Sequence, residues 1–385
     1  MNCLQTSIIR IPALADVHVH FREPGFPNKE TIRSGSMAAA AGGYTAVCPM
    51  PNLSPAPDSL ENLEQELAII RRDAVIKVLP YATVTKGRKG HDVVDIAALK
   101  ASCVAFSDDG SGVQDRDVML RAMKTAAENG CIIAAHCEDN SLLNGGYIHD
   151  GSYAREHSHK GISSESEWRQ IERDVDLASF SGCAYHVCHI STRQSVDIIR
   201  RAKARGVNVT CETAPHYLIL SQDDLQEDGR FKMNPPLRDP EDRSALIEGL
   251  LDGTIDMIAT DHAPHTAQEK SRGLAGSSMG IVGLETAFPL LYTHFVKTGI
   301  LSLDTLVKLM STNPRRRFSL DGTSTSGVTN DYAEFDVETP YVIDPSNFYS
   351  MGHSTPFAGR EVYGRCLRTV YGNKAVYDIC YNKVK

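Results

Sequence analysis

What this chain has little of narrows it first. Its ten cysteines form no Cys-x-x-Cys pair, which removes the redox dithiol and zinc-ribbon spacings, and ten in 385 residues is too sparse for a disulfide scaffold. No Pro-rich, Gly/Ser-rich or fixed-period tract interrupts it, so disordered, fibrous and repeat architectures are excluded. Basic residues are not in excess. Against 48 Asp+Glu stand 40 Lys+Arg, a net charge of -8, which argues against a nucleic-acid backbone or an anionic membrane surface as partner. Apolar runs such as 131–135 and 287–292 fall far short of the roughly 20 residues that a membrane helix needs. Residues 1–10 lack the apolar core of a secretory signal. The expectation is a cytoplasmic protein with reduced, mostly buried thiols.

What is present is an α/β alternation. Eight short apolar or β-branched runs predict strands at 13–20, 44–49, 75–84, 103–107, 131–136, 185–190, 207–212 and 256–260. Stretches of helical period fall between them, for example 32–41, 59–72, 117–129, 195–205 and 243–251. This pattern predicts a TIM-like (β/α)8 barrel, whose strands are buried on both faces and whose functional groups sit at the C-terminal strand ends. Two stretches rich in small and polar residues, 142–165 and 266–280, read as long loops over the barrel mouth. After about residue 320, runs at 333–337, 362–370 and 374–381 predict a small, reduced β appendage packed beside the barrel. The expected division is a short N-terminal β segment (1–12), a barrel (13–320) and a small C-terminal β region (321–385).

Polar residues stand where a barrel would use them. His18 and His20 end the first run, and the alternation of side chains along a strand puts both on one face, able to grip one ion. His136 and His189 close two later runs, and Asp261 follows the last. A lone histidine at such a place is more often a satisfied core residue. Several strand ends converging on one mouth are different, and their ligands exceed the needs of one tetrahedral zinc. Two ions bridged by a carboxylate fit better. His186, three residues before His189, is expected to face the other way and to be structural, as are His216 and His262. Only one of the adjacent Asp108 and Asp109 can face the mouth, and spacing alone does not choose.

These residues lie in motifs that resemble dihydroorotases, a family of the amidohydrolase superfamily. The motifs are Asp16-Val-His-Val-His-Phe-Arg-Glu-Pro-Gly25, Pro49-Met-Pro-Asn52, Ser107-Asp-Asp-Gly110, Ala135-His-Cys-Glu-Asp139 and Cys188-His-Ile-Ser-Thr192. Lys232-Met-Asn-Pro-Pro236, Ala259-Thr-Asp-His-Ala-Pro-His265, Gly283-Leu-Glu-Thr286 and Thr355-Pro-Phe-Ala-Gly359 carry the likeness toward the C-terminus. The resemblance implies two zinc ions per chain: one on His18, His20 and Asp261, the other on His136 and His189, with a bridging carboxylate. Many relatives bridge with a lysine at the fourth strand end. None is present here, which resembles the class I bacterial branch and favours Asp109 over Asp108 as bridge.

By the same resemblance the reaction is the reversible cyclisation of N-carbamoyl-L-aspartate to L-dihydroorotate, in pyrimidine synthesis. Asp261 would be the catalytic base that takes the water proton and passes it to the ring nitrogen, help typically worth ~10² to 10⁴ in rate. Arg22 offers a planar fork for the substrate carboxylate, its plain alternative being a surface pair with Glu23 or Glu30. Asn52, Asn234, His265, Met279 and Gly280 match positions that complete substrate recognition; without the resemblance, Asn52 and Asn234, each beside proline, read as turn residues. The partners implied are the small-molecule substrate, a second copy in a homodimer, and aspartate transcarbamoylase as a candidate. Seventeen residues precede His18, fewer than in bacterial relatives, so the appendage sheet is expected either to stand alone or to be covered by another subunit. Two rivals follow. One is a neighbouring cyclic amidohydrolase acting on allantoin, hydantoins or dihydropyrimidines. The other is a silent dihydroorotase-like subunit that supports the transcarbamoylase. Nitrogen and carboxylate ligands also accept manganese or cobalt.

Overall fold

The computed structural model describes residues 8–321, 327 and 329–380. Two parallel sheets form the walls of a barrel: Leu14–Val19, Tyr44–Pro49 and Lys77–Val78 on one side, and Ile132–Ala135, Ala184–Val187, Val209–Thr213 and Met257–Ile258 on the other. Phe106 joins them, bridging in parallel to Ala82 and to Ile133, and a Val19–His262 bridge closes the ring. The fourth strand is thus reduced to little more than Phe106. Helices alternate with the strands, including Ile32–Ala41, Leu60–Asp73, Arg116–Glu128, Glu165–Ser181, Arg193–Ala204 and Pro240–Leu251.

Local chemistry explains these elements. Ile32–Ala41 starts at a capping box in which the Thr31 side chain accepts from the Ser34 amide. Its buried Ala38, Ala39 and Ala40 let it lie close beneath neighbouring structure. Inside the barrel sit small or slender residues, among them Ala15, Val17, Ala46, Ala105, Ala134 and Ala259, with Phe318 and Leu320 packed against them. The register slips between Asp16 and Val19, an irregularity in the pairing that spans His18 and ends just before His20.

The expected mouth loops are folded excursions. Residues 142–165 hold a short helix, Ser152–Glu156, and a pairing of Ile148–His149 with Gly161–Ile162. Residues 266–280 hold Ala267–Lys270 and Gly273–Gly276. Both carry backbone hydrogen bonds that composition alone does not announce.

The first described strand, Ile8–Pro12, pairs antiparallel with Tyr332–Asp336, followed in the same sheet by Arg365–Tyr371 and Lys374–Asp378. This chain supplies cover for one face of that sheet. The Phe335 ring stacks 3.9 Å from Phe288, and Thr369 Oγ1 donates to the Ala40 carbonyl at 2.7 Å. Gly43 makes the approach possible: at φ 92, a Cβ there would lie 2.5 Å from the Phe335 ring. No helix among the described residues is long and apolar enough to cross a membrane.

Candidate active site

Five strand ends meet at one mouth. His18 and His20 both face Asp109, with His18 Nε2 3.4 Å from Asp109 Oδ1 and His20 Nε2 3.6 Å from Oδ2. His136 Nδ1 and His189 Nε2 also approach Asp109 Oδ1, at 3.8 and 3.6 Å, and lie 3.0 Å from each other. Asp261 Oδ1 is 3.0 Å from His20 Nε2 and 3.6 Å from His18 Nε2. Two groups able to hold an ion therefore share one carboxylate: His18, His20, Asp109 and Asp109, His136, His189.

The hydrogen bonds set the tautomers that a metal requires. Glu212 Oε1 accepts from His18 Nδ1 at 2.7 Å, so the lone pair of His18 sits on Nε2, which is buried and without a hydrogen-bond partner. Asn52 Oδ1 likewise takes the Nδ1 proton of His20 at 3.0 Å, leaving its Nε2 lone pair against Asp261. Lone pairs facing carboxylate oxygens repel unless a cation lies between them. Asp109 Oδ1 and His189 Nδ1 are also buried and unpartnered. The donor set fits a metal site.

Burial disfavours charge on Asp109 and Asp261, yet the surrounding histidines hold both carboxyls well below the usual carboxylate range. His189 and Asp261 adopt φ of 31° and 49°, sparsely populated for residues other than glycine. The turn at His189 overturns one expectation. His186 also faces inward, its Nε2 3.0 Å from Glu212 Oε2, because the strand ends at Val187 and the left-handed turn brings His189 back to the same side. His262 is fully bonded, to Glu30 through Nε2 and by the Gly283 amide through Nδ1. His216 is buried with Nε2 unpartnered, and burial lowers it to about 4.

Asp108 and Asp109 part company. Asp108 turns outward and accepts from the amides of Val84 and Thr85 at 2.9 and 3.1 Å and from the Thr85 hydroxyl, which leaves Asp109 alone facing the mouth. Three carboxylates lay outside the sequence reading. Asp16 stitches the first strand to the last, accepting from the amides of His18 and Thr260 at 2.9 and 3.0 Å. Glu212 spans His18 and His186 and is held at about 2 because those histidines outweigh the opposing effect of burial. Glu138 accepts from Asn234 Nδ2 at 3.0 Å and lies 3.6 Å from His136 Nε2. Glu138 was discoverable, since it follows His136 by two; nothing local marks Glu212.

Over the metal groups lies a cavity of about 230 Å³ lined by Arg22, Asn52, Asn234, His265, Met279 and Gly280 together with His20, Asp109, His136, His189 and Asp261. His18 lies beneath its wall. Arg22 is 8% exposed and makes no ion pair among the described residues; its Nε donates to the Pro264 carbonyl at 3.4 Å. Glu23 and Glu30 are engaged elsewhere, Glu23 by the Ile32 amide and Glu30 by His262 and Ser350. Burial pushes Arg22 down to about 10, so it remains charged. His265 Nε2 donates to the Met279 carbonyl at 2.8 Å, and burial, helped by Arg22 and Lys29, lowers the ring to about 3, so it is neutral.

A parallel (β/α)8 barrel with histidines and aspartates gathered at its mouth as a metal site is an arrangement suited to a metal-dependent amidohydrolase. Comparison with known proteins agrees. Solved structures that resemble it include an L-hydantoinase (dihydropyrimidinase) from Arthrobacter aurescens, with TM-score 0.84 and 25% identity over 96% of this chain and 85% of that one. A dihydropyrimidinase from Brevibacillus agri shares the fold at TM-score 0.83 and 20% identity, over 96% and 85% of the two chains. A family model described as dihydro-orotase-like matches residues 7–195. A dihydroorotase from Bacillus caldolyticus is 53% identical over 371 residues, 96% of this chain and 87% of that protein. One from Fusobacterium nucleatum is 51% identical, over 94% and 86%. The chain belongs to the dihydroorotase family.

Proposed function

We propose that this chain is a zinc-dependent dihydroorotase that interconverts N-carbamoyl-L-aspartate and L-dihydroorotate, with two zinc ions per chain. The observation that carries the reading is the single carboxylate of Asp109 shared by two histidine groups, beneath a cavity whose rim holds an arginine without a counter-ion. His18, His20 and Asp261 would hold one ion, His136 and His189 the other, and Asp109 both. When bound, the metals supply a water activated at neutral pH and a polarised carbonyl.

The chain's own groups do the rest. Asp261, kept ionised, accepts the water proton and returns it to the ring nitrogen as the C–N bond breaks. The Arg22 guanidinium takes the substrate carboxylate in two parallel hydrogen bonds. Asn52, Asn234 and the Met279-Gly280 backbone complete the pocket, and His265 supports it through Met279. The unpaired Arg22 and the intact ligand set favour this reading over a neutral cyclic amide substrate and over a silent subunit. The barrel at 13–320, the C-terminal β region and a homodimeric state complete the proposal.

Metal content and dihydroorotate ring opening, followed by ultraviolet absorbance on one purified sample, test it. About two ions per chain with turnover is expected. Metal without turnover on this substrate points to another cyclic amide, and absence of both points to a silent subunit. Asp261→Ala should keep most of its metal and lose nearly all turnover, whereas Arg22→Ala should chiefly raise KM.

A further inference from the structure

Lys270 is a buried lysine with no carboxylate partner. Its side chain lies in the excursion over the mouth, the residue is 6% exposed, and no described acidic group comes within ion-pair distance of Nζ. Its three ammonium donors go instead to three backbone carbonyls: Lys232 at 3.0 Å, Ser278 at 2.7 Å and Gly280 at 2.7 Å. These carbonyls belong to two segments far apart in sequence, one running into Asn234 and the other containing Met279 and Gly280. Both wall the cavity.

The same two segments are tied again by the Gly280 amide, which donates to the Lys232 carbonyl at 3.1 Å, and Lys232 Nζ reaches back to the Ala275 carbonyl at 3.0 Å. Only glycine fits at position 280: at φ 132, a Cβ would lie 2.7 Å from the Ala263 carbonyl oxygen, so the segment packs directly against Ala263. Burying an ammonium without a counter-charge is costly, and a methionine would fill the same space without that cost. Burial, reinforced by Lys232, lowers Lys270 to about 7 against the opposing pull of Asp228 and Glu269. The arrangement trades stability for a fixed backbone geometry at the pocket.

We propose that Lys270 is a positioning residue that clamps the segments 232–234 and 278–280 together and so sets the affinity of the site for its substrate. Three donors of one tetrahedral group fix three carbonyls relative to one another, which neither a neutral side chain nor a surface salt bridge would do. The substrate named in the test rests on the dihydroorotase reading above; the clamp itself rests only on these contacts.

The test compares the metal-loaded full chain with Lys270→Met and Lys270→Arg. For Lys270→Met the expected result is an increase in KM for dihydroorotate of about tenfold or more, with kcat within about threefold and metal content unchanged. Lys270→Arg should recover part of the lost affinity, since it restores the charge and several donors. Amide hydrogen exchange should accelerate in 232–236 and 278–282 while the barrel strands keep their protection. Parental KM in Lys270→Met, with the loss confined to melting temperature, overturns the proposal, as does a loss carried by kcat alone. Should Lys270→Met fail to fold, Lys270→Gln, which keeps two N–H donors, takes its place under the same criteria. If the parent does not open dihydroorotate, the dihydroorotase reading fails separately, and unchanged exchange in the two segments then decides against the clamp.

Discussion

At the scale of single residues, the site is made by partners rather than by ligands alone. Glu212 shows this. Its carboxylate holds His18 by Nδ1 at 2.7 Å and His186 by Nε2 at 3.0 Å, and so decides that Nε2 of His18 faces Asp109. Such partners typically tune metal affinity by 10- to 100-fold. Glu212→Gln should therefore weaken metal binding by about that factor, measured by competition with a chromogenic chelator, while the far-ultraviolet circular dichroism stays parental. Unchanged metal affinity would reduce Glu212 to a packing role. Asp108 and Asp109 offer a paired control. Asp109→Ala should reduce metal occupancy, whereas Asp108→Ala should loosen the Val84–Thr85 turn and leave metal content near parental.

Among the elements, the strand ends are held by carboxylates from neighbouring helices. Glu167, on Glu165–Ser181 and 3% exposed, accepts from the amides of Ser191 and Thr192 at 2.9 and 3.1 Å and from Ser195 Oγ at 2.7 Å. It thereby holds Thr192, the N-cap of Arg193–Ala204, and braces the turn that carries His189 in its left-handed conformation. Each hydrogen bond to a buried charge is worth about 1.5 to 3 kcal/mol. Glu167→Ala also removes the ion pair of Arg238, which lies 3.8 Å away and keeps its hydrogen bonds to Ser191 and Ile162, so a loss of at least about 3 kcal/mol is expected in urea denaturation. A loss below about 1 kcal/mol would show that water replaces the carboxylate at no consequence.

For the whole molecule, Glu285 marks the seam between barrel and appendage, accepting from the amides of Tyr349 and Ser350 at 2.9 and 3.3 Å. Burial pushes its carboxyl from the ordinary 4.5 up to about 8. Between those pH values the folded chain keeps a proton that the unfolded chain has released, so stability falls as pH rises through this window and levels off above it. Glu285→Gln keeps an acceptor and removes the titration. Its melting temperature relative to the parent should therefore rise steadily from pH 5 to pH 8; a pH-independent difference would show that the carboxyl is already ionised in the fold.

Much of this protein was legible in one dimension. Strand and helix periods come from local geometry, so the predicted helix at 32–41 coincides with Ile32–Ala41 and the predicted strand at 44–49 with Tyr44–Pro49. The His-x-His pair is legible because two residues are the period of a strand. The inward-facing His186, the left-handed turn at His189, the bracing by Glu212 and the clamp of Lys270 were not, and spacing left Asp108 and Asp109 open until the family resemblance favoured Asp109. Each depends on a partner brought near only when the barrel closes: His20 and Asp261, 241 residues apart, meet at 3.0 Å. Sequence by itself determined which chemistries stand at the strand ends, because backbone periodicity is local. Only the tertiary structure decided which of them gather around one carboxylate and which hold the others in place, because hydrogen bonds and charges act over a few ångströms regardless of chain separation.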